Sequence, residues 1–149
     1  MNVELRNRQP RKHSGLRVDS RLLKSLARQA LELVDAPANC NLSIALVTDA
    51  AIAKLNTQYH ATSGPTDILS FDYGDGEGEL IISIEHVVTN ARRFRTTPAR
   101  ELTRYVTHGI LHLHGHDDRT PRQRIRMRER ERRFLDYLGR KLDLRKLVT

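Results

Sequence analysis

Tryptophan is absent from this chain, and its 149 residues hold only three Phe and four Tyr. With so few rings, stacking on bases cannot be the main source of affinity for a nucleic acid. Cysteine occurs once, at Cys40. One thiol makes no internal disulfide and suits a reducing cytoplasm, so Cys40 reads as a small core residue rather than a ligand. No apolar run approaches the ~20 residues of a membrane-spanning helix. The opening residues, MNVELRNRQPRKHSG, lack the apolar core of a signal peptide. A cytoplasmic protein without membrane contact is expected. No internal repeat or low-complexity segment stands out.

What is present begins with charge. The chain carries a formal net charge of +8. Residues 119–149 hold twelve Lys or Arg against four Asp or Glu, whereas residues 1–118 hold fourteen of each. The whole excess therefore sits at the C-terminal end. A basic terminal helix is often only a solvated face; its functional reading is attraction of a polyanion.

The length suits one domain over residues 1–149, with about 68–70% of the unfolded surface buried. Val3 to Asn7 alternates weakly, as an edge strand would. Asp19 or Ser20 caps a helix to about Val34, with Leu22, Leu23, Leu26, Ala30 and Leu31 on one side. Leu42 to Val47 reads as a buried strand, and Thr48 or Asp49 caps a helix through about Tyr59. Thr66 to Phe71 and Glu79 to Ser83 read as strands joined by the acidic turn Asp72 to Gly78. That turn lacks the twelve-residue ligand order of a calcium loop, so it is read as a hairpin connection.

Helices follow at Ile84 to Phe94, at Ala99 to about Leu113 behind Thr97-Pro98, and at Pro121 to about Leu138 behind Thr120. In the last of these Met127, Phe134, Leu135 and Leu138 face inward. Strands separated by a helix tend to lie parallel, whereas a hairpin is antiparallel. The expectation is an α+β fold: a mixed sheet of about four strands packed with helices, the helix of residues 99–113 central.

That helix carries the chemistry. The stretch Val106 to Thr120 reads VTHGILHLHGHDDRT. His108 and His112 are four apart, which on a helix sets their Cβ atoms about 5–6 Å apart on one face. Gly115 can end the helix in a left-handed cap, and Asp118 then arrives six residues after His112. His108, His112 and Asp118 thus follow HxxxHxxGxxD, the ligand spacing of the metzincin pattern with a carboxylate third. Zinc accepts both donor types, and three protein ligands leave a position for water. A peptidase of this pattern has Glu after the first His, as general base; here that residue is Gly109.

Several segments together resemble the YbeY family, the bacterial metal-dependent endoribonucleases of ribosomal RNA maturation. The family hallmark HGxLHLxGYDH is matched by HGILHLHGHDD at residues 108–118. A second hallmark resembles NxxYR followed by PTDVLSF, where this chain has Asn56, Tyr59, His60 and then PTDILSF at 65–71. GELIIS at 78–83 is similar to the family's GDIVIS, and Met127 and Glu131 fall in its closing helix. The match runs from about residue 42 to 135.

Two departures matter. Asp118 stands where the family has its third His ligand; His114 and His116 compete for that role, but the spacing of six belongs to Asp118. His60 stands where the family has an Arg thought to contact substrate phosphate. Arg is permanently charged, whereas His is neutral much of the time near pH 7. Either His60 serves as imidazolium, or Arg119 or Arg122 takes over, or His60 is only a loop residue.

The resemblance implies a single-strand-specific endoribonuclease acting in 16S rRNA 3′-end processing and ribosome maturation. Its partners are then RNA of the small ribosomal subunit and ribosome-associated proteins. The expected cofactor is one divalent transition metal, foremost Zn2+, which would polarise a phosphoryl oxygen or acidify its bound water. His108, His112 and Asp118 are the expected ligands, His60 a candidate catalytic residue, and Arg119, Arg122, Arg124, Arg128 and Arg132 the expected contacts to the RNA backbone. Glu101, Asp67 and Ser70 are candidates to hold the second nitrogen of a ligating His. The rivals are a metallopeptidase and a non-enzymatic ribosome-assembly factor with a structural metal.

Overall fold

A computed structural model of the chain describes residues 1–9, 16–59 and 68–149. Four strands form one mixed sheet among them: β1 (Asn2–Asn7), β2 (Asn41–Val47), β3 (Ile68–Gly74) and β4 (Glu77–Ser83), in the order β1-β2-β4-β3. The helices are α1 (Ser20–Leu33), α2 (Asp49–Tyr59), α3 (Ile84–Arg93), α4 (Pro98–Leu113) and α5 (Pro121–Lys141), followed by a short 3-10 turn at Leu144–Lys146. The α+β architecture expected from the alternation of strand and helix patterns is the one found.

β1 pairs with β2 in parallel, with Val3 opposite Leu42, and lies at the sheet edge. β2 and β4 are also parallel, with Ile44 opposite Leu80. β3 and β4 are antiparallel, as a hairpin requires. Both hairpin strands run further than the sequence suggests. β3 continues to Gly74 and β4 starts at Glu77, so the connection narrows to Asp75–Gly76; both, like Gly74, have positive φ, and the register shifts between Asp72 and Gly74. Asp72 of β3 and Glu77 of β4 are exposed while their backbone still pairs, so their polarity does not end the strands.

Central strands are buried on both faces, which is why LSIALV and LIIS read as continuous apolar runs. One face, with Leu42, Ile44, Leu46, Leu80 and Ile82, joins the large core with Leu23, Leu26 and Ala30 of α1 and Leu102, Val106 and Ile110 of α4. Cys40 belongs to this core. The other face packs Ala45, Val47, Leu69 and Ile81 against Ile52 of α2. At its margin Tyr59, Phe71 and Tyr73 form a ring cluster, with centroids 5.6 Å and 6.2 Å apart. The Tyr73 hydroxyl donates to Glu79 at 2.8 Å; partial burial and that carboxylate push its pKa up to about 12.

α4 packs against α1, α3, α5, β3, β4 and the C-terminal 3-10 turn. It lies unusually close to the sheet at Gly109. A Cβ there would come within 2.5 Å of Leu80 Cδ2 and 3.0 Å of Ile68 Cδ1. The position after His108 is thus in contact with the sheet and has no space for a side chain.

Candidate metal centre

The site is built at the C-terminal end of α4 and in the turn that follows. Thr97 caps the helix by accepting from Arg100 N at 3.1 Å, and Pro98 takes the first helical position. The far end closes in a Schellman motif. Gly115 N donates to His112 O at 3.2 Å and His116 N to Leu111 O at 3.0 Å, with Gly115 at φ 90°. Gly115 is the residue that tolerates this backbone at little cost. The reversed chain returns Asp118 alongside the helix. α5 then starts in a capping box between Thr120 and Gln123, whose Oε1 also accepts from Arg119 N at 3.0 Å. The segment 114–120 is thus fixed at both ends.

His108, His112 and Asp118 converge as their spacing predicts. Their ligand atoms all lie within 4.8 Å of one another, and no other group of three such residues does so among the described residues. Asp118 Oδ2 is 3.5 Å from His108 Nε2, and Asp118 Oδ1 is 3.3 Å from His112 Nε2. Donor atoms bound at ~2.0–2.1 Å to a tetrahedral ion stand roughly 3.3–3.5 Å apart. The three residues could hold a metal ion, and all three are only partly exposed.

The group behind His108 is not evident from its place in the sequence. Its Nδ1 is 2.6 Å from Oε1 of Glu131, a residue of α5 only 5% exposed. A carboxylate accepts, so Nδ1 carries the proton and Nε2 is left to face Asp118. Glu101, one of the three candidates for this role, is bonded instead to Arg104, at 3.0 Å and 3.3 Å. Asp67 lies outside the described residues, and Ser70 is a half-buried residue of β3. A signal for Glu131 does exist. It stands four residues after Met127 and four before Leu135, on the apolar stripe of α5, where an acid is unexpected unless partnered.

His114 and His116 are not part of the triad. His114 Nδ1 donates to Ile110 O at 2.8 Å, back along its own helix. His116 has its pKa lowered by burial, and then by the charge of Arg130 and by His114 and His112. Arg130 is therefore an α5 cation bordering the turn, one that the sequence pattern does not single out. Arg119, Arg122, Arg128 and Arg132 are exposed on and just before α5. Arg124 is partly committed: its Nη1 donates to Arg119 O at 3.0 Å and bridges to Asp118 O at 3.5 Å. His60 lies outside the described residues.

A mixed sheet backed by a helix with His108 and His112 near its end and Asp118 in the turn beyond defines an α+β protein with a possible His–His–Asp metal site. Residues 5–139 match the family model for Endoribonuclease YbeY. The Endoribonuclease YbeY of Chloroflexus aggregans is 35% identical over 138 residues, covering 83% of this chain and 90% of that protein. That of Chlorobium luteolum is 46% identical over 90 residues, covering 58% of this chain and 66% of its own. A Thermotoga maritima protein solved in solution superposes with a TM-score of 0.62 at 26% identity, covering 93% of this chain and 90% of that one. The chain belongs to the endoribonuclease YbeY family.

Proposed function

We propose that this protein is a metal-dependent endoribonuclease that cleaves single-stranded RNA, with the 3′ end of 16S rRNA in the maturing small ribosomal subunit as its substrate. The observation that carries the reading is the His108–His112–Asp118 triad, braced by Glu131 from the same α5 helix that bears the arginines. Two imidazoles and a carboxylate are a donor set suited to Zn2+. A divalent ion in that position supplies Lewis-acid chemistry to a phosphodiester. The protein's own part is to fix the triad, to offer the His nitrogens unprotonated, and to hold the RNA backbone.

Backbone contact falls to Arg119, Arg122, Arg128 and Arg132, with Arg124 shared between the turn and the substrate. Such contacts give salt-dependent, weakly sequence-specific binding. The ring cluster at Tyr59, Phe71 and Tyr73 does not alter this. Asp72 lies between Phe71 and Tyr73 in the chain and Glu79 accepts from the Tyr73 hydroxyl, and these negative charges repel a polyanion. His60 replaces the family arginine and contacts the substrate phosphate as imidazolium; His60→Arg should then extend activity to higher pH. The setting is the cytoplasm, among ribosome-associated proteins.

Gly109 disfavours the metallopeptidase reading. The general base is missing, and Leu80 and Ile68 occupy the space that its side chain would need. The deciding experiment is single-turnover cleavage of a single-stranded RNA oligonucleotide by zinc-reconstituted protein, beside a chelated control and a casein assay. Cleavage of RNA alone, abolished by the chelator, is expected. RNA binding without cleavage in either sample would make the protein a non-enzymatic assembly factor.

A further inference from the structure

We infer that Arg104 is a positioning residue for the metal centre, acting on His108 through Glu131. The inference rests on the reading of His108 as a ligand. Glu101 and Glu131 are buried carboxylates, 4% and 5% exposed, from α4 and α5. One guanidinium serves both. Arg104 grips Glu101 with Nε and Nη2, and its Nη1 is 3.9 Å from Oε2 of Glu131. The two oxygens of Glu131 are thereby divided: Oε2 faces Arg104 and Oε1 faces His108 Nδ1 at 2.6 Å. Burial works against the Arg104 charge, but the bond to Glu101 and the charges of both carboxylates outweigh it and hold its pKa above the ordinary value.

The division matters because a carboxylate with one anchor can turn about its terminal bond, and its side chain can re-orient. With a partner for each oxygen on α4, Arg104 one turn before His108, that turning is restricted, so the imidazole of His108 is favoured in one plane and one tautomer. Arg104 itself is steadied, its guanidinium carbon 5.1 Å from the Tyr105 ring centroid. Formal charge agrees with this arrangement. Glu101, Glu131 and Asp118 against Arg104 leave two negative charges, which a divalent ion balances. Only a fork of Arg geometry reaches both acids; Lys offers one point charge.

The test is Zn2+ affinity of metal-free protein by competition with a chromophoric chelator, for Arg104→Met, Arg104→Lys and Glu101→Gln. The imidazole N–H resonance of His108 is read in parallel by NMR on metal-free protein. Both Arg104 variants should lose roughly 10- to 100-fold in affinity, the range for partners of a ligating His, and His108 should lose its protected N–H signal. Glu101→Gln removes an equally buried acid but leaves Arg104 to hold Glu131, so it should keep both. If Arg104→Met does not fold, Arg104→Lys carries the test, since it retains the charge. Affinity and N–H signal unchanged in Arg104→Lys would overturn the inference, as would an equal loss in Glu101→Gln. Should His112→Ala bind Zn2+ as tightly as the parent, the ligand reading itself has failed.

Discussion

Oε1 of Glu131 sits 2.6 Å from Nδ1 of His108, although 23 positions of sequence separate them. The contact exists only because α5 folds back along α4. It makes one helix contribute both to the surface that would meet RNA and to the support behind the triad. Glu131→Gln keeps the shape and removes the charge. It should lower Zn2+ affinity by roughly 10- to 100-fold, measured by chelator competition.

The triad and its two neighbours separate cleanly. His112→Ala and Asp118→Ala should abolish stoichiometric zinc binding by elemental analysis. His114→Ala should retain it, because that ring is bonded to Ile110 O and not to the site. Retention in Asp118→Ala with loss in His114→Ala would transfer the third ligand.

Gly109→Ala tests the close approach of helix and sheet. Helix propensity alone would favour Ala by about 1 kcal/mol, but overpacking against Leu80 and Ile68 costs about 1–3 kcal/mol. Contacts at 2.5 Å with buried Leu80 and at 3.0 Å with half-buried Ile68 decide the sign. Urea unfolding should show a net loss of up to about 2 kcal/mol. In a Leu80→Ala background the same change should cost less, the coupling expected of residues in contact.

The arginine strip is tested by salt. Arg128 and Arg132 are one turn apart on the exposed side of α5. Each phosphate contact to a single strand contributes about −0.7 to the slope of log K against log salt. Replacing both by Gln should flatten that slope by about 1.4. The same change at Arg6 and Arg8, exposed residues at the far edge of the sheet, should leave it unaltered.

The cap at Thr120 joins site to helix. Thr120→Ala should cost about 1 kcal/mol by thermal unfolding, since it removes the side-chain acceptor for Gln123 N. It also loosens the turn that delivers Asp118, so zinc affinity should fall with stability.

Local signals are legible in the amino-acid sequence itself. Threonine followed by proline marks the starts of α4 and α5, Gly115 marks the turn, and the His–His–Asp spacing marks the triad. Parallel β1–β2 and the β3–β4 hairpin follow from the order of elements. Partnerships between distant segments are not legible. Glu131, Arg104 and Arg130 act across helices, and nothing in their own neighbourhood says which acid meets which base. The hairpin strands look shorter than they are because acidic residues read as turn, although Asp72 and Glu77 point to water from paired strands. The reason for Gly109 is also hidden: a missing base is visible, but Leu80 and Ile68 filling its place is not.

The three candidate ligands come from one short stretch, residues 108–118, whereas their brace comes from beyond it. A peptide of that stretch could gather all three around an ion without a sheet beneath it. Some affinity for zinc should therefore survive in the unfolded chain, and heat stability gained from the ion would reflect only the difference between the two states. That difference measures how much the assembled protein improves on its own fragment, and it is set by Glu131 and the residues that hold it.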